Sequence, residues 1–257
     1  MSELVHLEVD DGVGIVRLDR PPANAISLQV SIDLLAALEA AASRDDVGAL
    51  VLWGGPKLFA AGADIKEMAE EGPDEIRAQV TKLGDACDLL EATPKISIAA
   101  ITGFALGGGF ELSLACDLRY AADDAKVGQP EVRLGVIPGA GGTQRMTWLA
   151  GVGVSRDLTY TGRQVDVEEA KNLRLVERVL PADQVFESAV HDARAFAQGP
   201  RRALAAAKEA IQAAVRSPGP PGIAREKELF IALLGTYDQR EGMRAFIEKR
   251  SPGFRGN

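Results

Sequence analysis

A glycine-rich apolar stretch near the middle of the chain carries one acidic side chain. It runs from Lys95 to Asp117 and reads KISIAAITGFALGGGFELSLACD, so that Glu111 lies two residues after the triplet Gly107 to Gly109. Glycines let a ligand approach the backbone closely, and the first N–H groups of a helix, which have no internal partner, stabilise developing negative charge. A carboxylate beside such donors in apolar surroundings is a candidate acid or base with a raised pKa. These residues therefore indicate acid–base chemistry on a substrate in which an oxygen becomes negative.

The same residues also have a purely structural interpretation. Glycines without a Cβ allow a strand and a helix to pack closely, and Glu111 would then cap the start of its own helix. This stretch alone does not decide between the catalytic and the structural use of these residues.

A second acidic residue lies in a similar context further along the chain. The stretch from Gly128 to Gln144 reads GQPEVRLGVIPGAGGTQ, and its acidic residue is Glu131. Within it, the run from Gly139 to Thr143 lacks the lysine of a phosphate-binding loop. That run favours a tight turn that opens a helix.

An upstream stretch supplies another turn between a strand and a helix. Leu58 to Met68 reads LFAAGADIKEM, in which Asp64 and Glu67 have the spacing of a capping box. A helix is therefore predicted to begin just after Asp64. The preceding Gly62 and Ala63 then lie at the turn itself.

The elements that must position these turns have clear patterns. Continuous apolar runs predict buried strands at Val47 to Trp53 and at Ile96 to Ile101. Alternation around Asp10-Asp11-Gly12 predicts a hairpin between Val5 and Leu18. Helices are predicted at Pro73 to Ala92 and, after the glycine hinge, at Phe110 to Cys116. Interleaved strands and helices favour the α/β class.

From Pro181 onward the chain is predicted to be helical. Asp238 and Glu241 have the spacing of a further capping box, which predicts that the last helix begins at Asp238. The predicted helices of this region are Ala182 to Gln198, Pro200 to Arg216, Gly222 to Leu234 and Asp238 to Arg250.

Composition narrows the class of protein. A chain of 257 residues suits one large domain or a domain with an appendage, and the net charge of −8 argues against a broad nucleic-acid surface. Cys87 and Cys116 lie in apolar helical patterns, which favours reduced core thiols, and His6 and His191 have no metal-ligand spacing. The N-terminal sequence MSELVHLEVDD lacks the apolar segment of a signal peptide, so a cytoplasmic protein is expected.

Several stretches, in the right order and at the right spacing, resemble a known family. FAAGADIKEM, GFALGGGFEL and GQPEVRLGVIPGAGGTQR, together with the C-terminal DQREGMRAFIEKRSPGF, resemble enoyl-CoA hydratases of the crotonase superfamily. The resemblance implies an α/β fold, a crotonase-like spiral of ββα units with a C-terminal helical oligomerisation region. It divides the chain into a core with the active site at residues 1–198 and helices for trimer contacts at residues 199–257. A homotrimer or homohexamer is implied as well.

The resemblance also implies a reaction. Members of this family add water across the double bond of trans-2-enoyl-CoA thioesters to give 3-hydroxyacyl-CoA, in fatty-acid β-oxidation or related acyl-CoA catabolism. The implied partner is an acyl-CoA substrate, with no nucleic acid and no membrane. Coenzyme A enters as part of the substrate, and no metal or redox cofactor is implied.

Roles follow from the resemblance residue by residue. The oxyanion donors would be the backbone N–H groups of Ala63 and Gly108. Glu111 would activate a water held between the two glutamates, and Glu131 would protonate the α-carbon. The helix opened by the turn at Gly139 to Thr143 would point toward the Glu131 side of the site. The substrate-binding residues implied are Ala23, Ala25, Lys57, Ala61, Asp64, Ile65 and Lys66, with the adenine near the first two and the lysines as phosphate partners.

Two other functions remain open at this point. Relatives that only isomerise double bonds, decarboxylate or dehalogenate usually lack one of the glutamates, whereas this chain has both Glu111 and Glu131. RNA binding, known for some relatives, is disfavoured by the acidic net charge. The chain departs from the family at Arg174, where glycine is usual, and at Met146 to Trp148. Because these positions lie near or after the acyl-pocket segments, they put the chain-length preference in doubt.

Overall fold

The computed structural model of the protein describes residues 4–257, so the first three residues of the N-terminal sequence interpreted above lie outside it. Strands and helices alternate through the first two thirds of the chain. The strands are β1 (Val5–Asp10), β2 (Val13–Leu18), β3 (Ala49–Trp53), β4 (Ile96–Ile101), β5 (Phe104–Leu106), β6 (Leu118–Ala122), β7 (Lys126–Gly128), β8 (Gln164–Asp166) and β9 (Arg178–Leu180). The helices are α1 (Leu28–Ser43), α2 (Ile65–Glu70), α3 (Pro73–Ala92), α4 (Gly108–Ala115), α5 (Gly142–Thr161), α6 (Val167–Asn172), α7 (Val185–Ala197), α8 (Arg201–Arg216), α9 (Pro220–Leu233) and α10 (Tyr237–Glu248).

Two sheets organise the strands. The larger sheet has the order β1-β2-β3-β4-β6-β9, in which only the pair β1 and β2 is antiparallel. That pair is the predicted hairpin, and its turn uses positive φ angles at Asp11 and Gly12. The smaller sheet has the order β5-β7-β8. The mixed α/β class and the helical C-terminal region are thereby confirmed.

Strand β4 lies inside the larger sheet, between β3 and β6, and leads directly to the candidate site. Its residues from Ile98 to Ile101 are completely buried, which explains their continuous apolar run. The chain then passes through β5 and Gly107 into α4, a helix in which every residue is buried. This helix begins at Gly108, two residues before the predicted start at Phe110, because Gly107 takes a positive φ of 49° and the helical turn begins immediately after it.

The prediction for the start of the last helix was wrong. Thr236 caps α10, since its side chain accepts the N–H of Gln239. Asp238 instead accepts the backbone N–H groups of Arg255 and Gly256, and Glu241 accepts that of Gly253. Both carboxylates therefore fasten the C-terminal tail, an interaction that local spacing does not reveal. The predicted start of α9 was also wrong, for a different reason. The helix begins at Pro220, two residues before the predicted Gly222, since proline is well tolerated in a first helical turn.

No helix within residues 4–257 combines the length and the apolarity that a membrane crossing requires.

Candidate active site

A cavity of about 290 Å³ lies where the glycine hinges meet helix α3. Its wall is mostly apolar, and its polar side chains are those of Gln79, Glu111 and Glu131. The wall consists of Ala61, Gly62, Ala63, Ile65, Met68, Ile76, Gln79, Val80, Leu83, Gly107, Gly108, Glu111, Pro130, Glu131, Leu134, Val136, Ile137, Gly139 and Ala140. The structure therefore brings together the three stretches that sequence analysis selected.

The two strand-to-helix turns approach each other at their glycines. Gly62 and Gly107 both have positive φ angles, 102° and 49°, and a Cβ added to Gly107 would lie only 3.7 Å from the Cα of Gly62. The residues that follow, Ala63 and Gly108, line the cavity. Among residues 4–257 neither backbone N–H of this pair donates a hydrogen bond. Two unpaired donors at one cavity wall form a ready site for an anionic oxygen.

The glycines of the triplet Gly107 to Gly109 are required for different physical reasons. A Cβ on Gly109 would lie 2.5 Å from the carbonyl oxygen of Ala60, so this glycine allows close packing of α4 on the backbone. A Cβ on Gly108 would meet the flexible ends of two side chains, Cδ2 of Leu83 at 2.9 Å and Cδ1 of Ile26 at 3.5 Å. The structural interpretation of the triplet therefore holds for Gly109, whereas Gly107 and Gly108 shape the cavity wall.

The carboxylate of Glu111 lies deep in the site, with 3% of the residue exposed. Its Oε1 accepts the N–H groups of Ala140 and Gly142, both at 2.8 Å. Burial raises its pKa, and these backbone hydrogen bonds oppose that rise. Glu111 therefore accepts the N–H of Gly142, the first residue of α5, and that of Ala140 in the turn before it, and it does not cap its own helix. The N-terminus of α5 is thus bonded to Glu111, and its orientation toward the Glu131 side of the site stays a prediction.

Glu131 is the first residue of a short 3-10 helix, Glu131–Leu134. Neither carboxylate oxygen has a hydrogen-bond partner in the described chain, and both are inaccessible. Burial and then the negative charge of Glu111 raise the pKa of Glu131, to about 7. A Cβ on Gly107 would lie 3.1 Å from its Oε1, so the carboxylate sits against the hinge. The two glutamates thus line the same cavity as Ala63 and Gly108.

Of the predicted substrate-binding residues, Ala61 and Ile65 line the cavity together with Ala63. Ala23 and Ala25 lie beside this segment. The carbonyl of Ala23 accepts the N–H of Ala61 at 3.0 Å, and that of Ala25 accepts from Arg20 at 2.7 Å.

The charged residues of this predicted set lie outside the cavity wall. Lys57 and Lys66 are exposed at the surface. Asp64 caps α2 through the N–H groups of Lys66 and Glu67, and its carboxylate pairs with Arg20 at 2.7 Å. The Asp64 side chain therefore has a structural role in this protein, because it stabilises the turn that carries Ala63.

Sequence analysis missed two polar residues beside the site. Gln79 donates through Nε2 to the carbonyl of Ile26, which also accepts the N–H of Asp64, while its Oε1 is buried without a partner in the described chain. Arg145 is 5% exposed and donates to the carbonyl of Ala140 at 2.8 Å. For Gln79 the available signal was its place on the apolar face of α3, three residues after Ile76 and four before Leu83.

The departures at Arg174 and at residues 146–148 do not touch the cavity wall. Arg174 follows α6 and has a φ of 64°, the left-handed conformation in which relatives carry glycine. Met146 is completely buried in the core, and Trp148 is 44% exposed. In this structure these positions concern backbone strain and packing, and the doubt that they cast on the chain-length preference stays a prediction.

The arrangement can polarise a carbonyl oxygen at the two N–H groups while a carboxylate on either side moves a proton. These groups suit an enzyme site that binds an activated carbonyl compound with an apolar chain.

Comparisons with known proteins agree with an enzyme that acts on an activated carbonyl compound. Residues 8–257 match the family described as enoyl-CoA hydratase/isomerase. The chain is 44% identical over 254 residues to a probable enoyl-CoA hydratase of Mycobacterium bovis, covering 98% of both chains. It is 39% identical over 244 residues to the mitochondrial enoyl-CoA hydratase of Pongo abelii, covering 95% of this chain and 83% of that one.

Solved structures agree as well. The enoyl-CoA hydratase from Bacillus anthracis superposes with a TM-score of 0.94 at 38% identity, covering 99% of this chain and 100% of that chain. The chain belongs to the enoyl-CoA hydratase/isomerase family and has its crotonase fold.

Proposed function

We propose that this protein is an enoyl-CoA hydratase that converts trans-2-enoyl-CoA thioesters to 3-hydroxyacyl-CoA. The observation that carries the proposal is the convergence of Glu111 and Glu131 on the cavity that also holds the free N–H groups of Ala63 and Gly108. Hydration needs all of these parts at once: donors for the thioester oxygen, a base for water and an acid for the α-carbon.

The different surroundings of the glutamates support their separate roles. Glu111 accepts two backbone hydrogen bonds, which favour its ionised form, so it is suited to take a proton from the attacking water. Within residues 4–257 no other residue donates to the Glu131 carboxylate, and its pKa is raised by burial to about 7 although its own backbone N–H opposes that rise, so near neutral pH it holds a proton that it can deliver to the α-carbon. The water oxygen bonds to the β-carbon while the thioester oxygen, held by Ala63 and Gly108, becomes enolate-like.

The substrate would lie along residues 61–66, with its acyl chain against the apolar wall that includes Ile76, Val80 and Leu83. The adenine would lie near Ala23 and Ala25, and Lys57 and Lys66 would neutralise its phosphates. Coenzyme A is part of the substrate, and the reaction as proposed uses no metal or redox cofactor. Undiminished turnover after dialysis against a chelator would support the proposal that the reaction uses no metal.

The deciding experiment is turnover of purified protein on a panel of trans-2-enoyl-CoA esters of increasing chain length, with 3-enoyl-CoA esters as the matched alternative. We expect 3-hydroxyacyl-CoA from the first set, detected by loss of the conjugated thioester absorbance and by mass spectrometry. Turnover of 3-enoyl esters alone, with the double bond moved and no water added, would replace hydration by isomerisation. RNA binding without turnover would contradict both enzymatic assignments.

The assembly is proposed to be a homotrimer or homohexamer built through the C-terminal helices. These helices expose large apolar side chains, among them Phe230 at 64%, Phe246 at 85% and Ile247 at 78%. Apolar surface of this kind is typical of an association interface. Sedimentation equilibrium of the full chain tests this part, and a monomer at micromolar concentration would contradict it.

The setting we propose is acyl-CoA catabolism, such as fatty-acid β-oxidation, in the cytoplasm. The described thiols of Cys87 and Cys116 are free and buried, which suits a reducing compartment. Fractionation of the source cells with an antibody to the protein tests the location.

A further inference from the structure

Arg145 is a buried cation beside the proposed base. It lies in the first turns of α5, with 6% of its side chain exposed. Its Nε and Nη2 contact Glu91 at 3.1 and 2.9 Å, and Nη2 also contacts Asp88 at 2.6 Å. The remaining arm of the guanidinium, Nη1, donates to the carbonyl of Ala140 at 2.8 Å. Glu91, whose side chain is 14% exposed, therefore fixes the guanidinium from α3, whereas Asp88 is 78% exposed and adds only a solvent-screened ion pair. Nη1 meanwhile holds one peptide.

That peptide belongs to the turn that binds Glu111. Ala140 is held at both of its backbone groups, because its carbonyl accepts from Arg145 and its N–H donates to Oε1 of Glu111. The guanidinium also lies directly against Gly141, where an added Cβ would come within 2.2 Å of Nη1. The next residue, Gly142, gives the second N–H to Glu111.

We propose that Arg145 is a positioning residue of the active site, whose guanidinium fixes the turn of Gly139 to Gly142 so that this turn orients the Glu111 carboxylate. The inference rests on the hydration proposed above. Only arginine supplies this geometry, since its planar fork reaches a carboxylate and a carbonyl at once. Lysine would keep the charge but not the fork.

The charge of Arg145 acts on Glu111 together with a few other groups. The titratable groups that bear on Glu111 from the surrounding elements are Arg145 of α5, Glu131 of the 3-10 helix and Cys87 of α3. Arg145 is the cation of this set, so its removal leaves the ionised form of Glu111 less stabilised. The effect of the Arg145 geometry can therefore be separated from the effect of its charge, because Arg145→Lys keeps the charge and Arg145→Gln removes it.

The test compares Arg145→Lys and Arg145→Gln with wild type in kcat, product affinity, melting temperature and the pH dependence of kcat/KM. In Arg145→Lys we expect kcat to fall about 10- to 100-fold, as for a small misplacement of a reacting group, with product affinity and the acid limb of the profile unchanged. In Arg145→Gln the same loss should come with an acid limb moved to higher pH. Asp88→Asn is the matched control, because it removes an exposed partner of the same nitrogen and leaves Ala140 held. Its kcat and pH profile should equal those of wild type.

Wild-type kcat and pH profile per folded active site in both Arg145 variants, with only the melting temperature lowered, would overturn the proposal. If neither variant folds, Glu91→Gln loosens the guanidinium from the far side, and its kcat should fall at constant product affinity. An unchanged kcat in folded Glu91→Gln would likewise overturn it.

A measurement that does not depend on hydration distinguishes failure of the positioning role of Arg145 from failure of the proposed hydratase function. The protonated carboxyl of Glu111 has an infrared carbonyl band, identified by its loss in Glu111→Gln. Arg145→Gln, or Glu91→Gln if the former does not fold, should change the frequency or the titration of this band, and an unchanged band would overturn the positioning role. Absence of hydration in wild type would instead defeat the proposed function and leave this measurement valid.

Discussion

Glu111 and Glu131 present their carboxylates to one cavity under opposite hydrogen-bonding conditions. Oε1 of Glu111 accepts two backbone N–H groups at 2.8 Å, whereas neither oxygen of Glu131 has a partner in the described chain. The contrast supports the proposed roles, since the two hydrogen bonds oppose the rise in pKa that burial causes at Glu111, whereas Glu131 lacks such side-chain bonds within residues 4–257. Measurable consequences follow for pH, turnover and stability.

The pH dependence of kcat/KM should fall on the alkaline side with an apparent pKa of about 7, because the proposed acid Glu131 must be protonated in the free enzyme. In Glu131→Gln this limb should disappear and kcat should drop by ~10²–10⁴-fold, the usual worth of a general acid. Initial rates across pH on one enoyl-CoA ester measure both. A variant with wild-type turnover would refute the assignment of Glu131.

The same carboxyl links stability to pH. Its folded pKa is raised above the unfolded value, so the folded state favours the protonated form, and stability is lost as pH rises toward and through about 7. At pH 8 the free energy of unfolding of Glu131→Gln should therefore exceed that of wild type by about 1–3 kcal/mol after allowance for solvent screening, and near pH 4 the two should match. Equal differences at both pH values would contradict the raised pKa.

Glu111→Gln separates catalysis from capping. The amide oxygen can still accept the N–H groups of Ala140 and Gly142, so the melting temperature should remain near wild type or rise, since a buried carboxylate is costly to ionise. Turnover should fall by ~10²–10⁴-fold, with product affinity nearly constant. An active Glu111→Gln enzyme with a lowered melting point would show that this carboxylate serves only to hold α5.

Two adjacent glycines should respond differently to the same substitution. Gly109→Ala puts a Cβ against the carbonyl of Ala60, which cannot move, so unfolding free energy should fall by about 1–3 kcal/mol. Gly108→Ala crowds the flexible end of Leu83 and makes an ordinary contact with Ile26, so it should cost less than about 1 kcal/mol, while narrowing the cavity and reducing turnover.

Adding Leu83→Ala to Gly108→Ala should relieve the crowding, whereas the same addition to Gly109→Ala should not. Denaturant unfolding of the four variants tests the argument. Equal costs for the two glycine substitutions would contradict it.

Arg174→Gly tests the strain noted at a position far from the cavity wall. A non-glycine residue at φ 64° costs about 1–2 kcal/mol, partly offset by the greater freedom of glycine in the unfolded chain. The variant should gain about 0.5–1 kcal/mol in unfolding free energy with no change in kcat or KM. A change in chain-length preference would contradict this prediction and would support a role of Arg174 in acyl specificity.

The parts of this protein that could be predicted from sequence are those determined by near neighbours. The apolar run from Ile96 to Ile101 specifies a buried strand, and Asp64 caps α2 through N–H groups two and three residues away. Contacts between distant segments could not be foreseen. Glu111 meets α5 29 and 31 residues along the chain, so its bonding partners were invisible to a local pattern. The same limit explains the error at Asp238, whose partners lie 17 and 18 residues on.

Shape and reactivity are carried by different segments of this cavity. The groups proposed to react stand on the glycine hinges, on α4 and at the head of the 3-10 helix, whereas the apolar wall comes from Ile76 and Val80 of α3 and from Leu134 to Ile137. Much of that wall is at the surface, with Ile137 71% exposed, so its side chains can change volume without disturbing a packed interior. Such a division makes the protein evolvable: its acyl specificity can diverge by substitutions on the wall while the proton-moving groups keep their geometry. It also marks Leu134 to Ile137 as the segment to randomise when a different acyl chain is wanted.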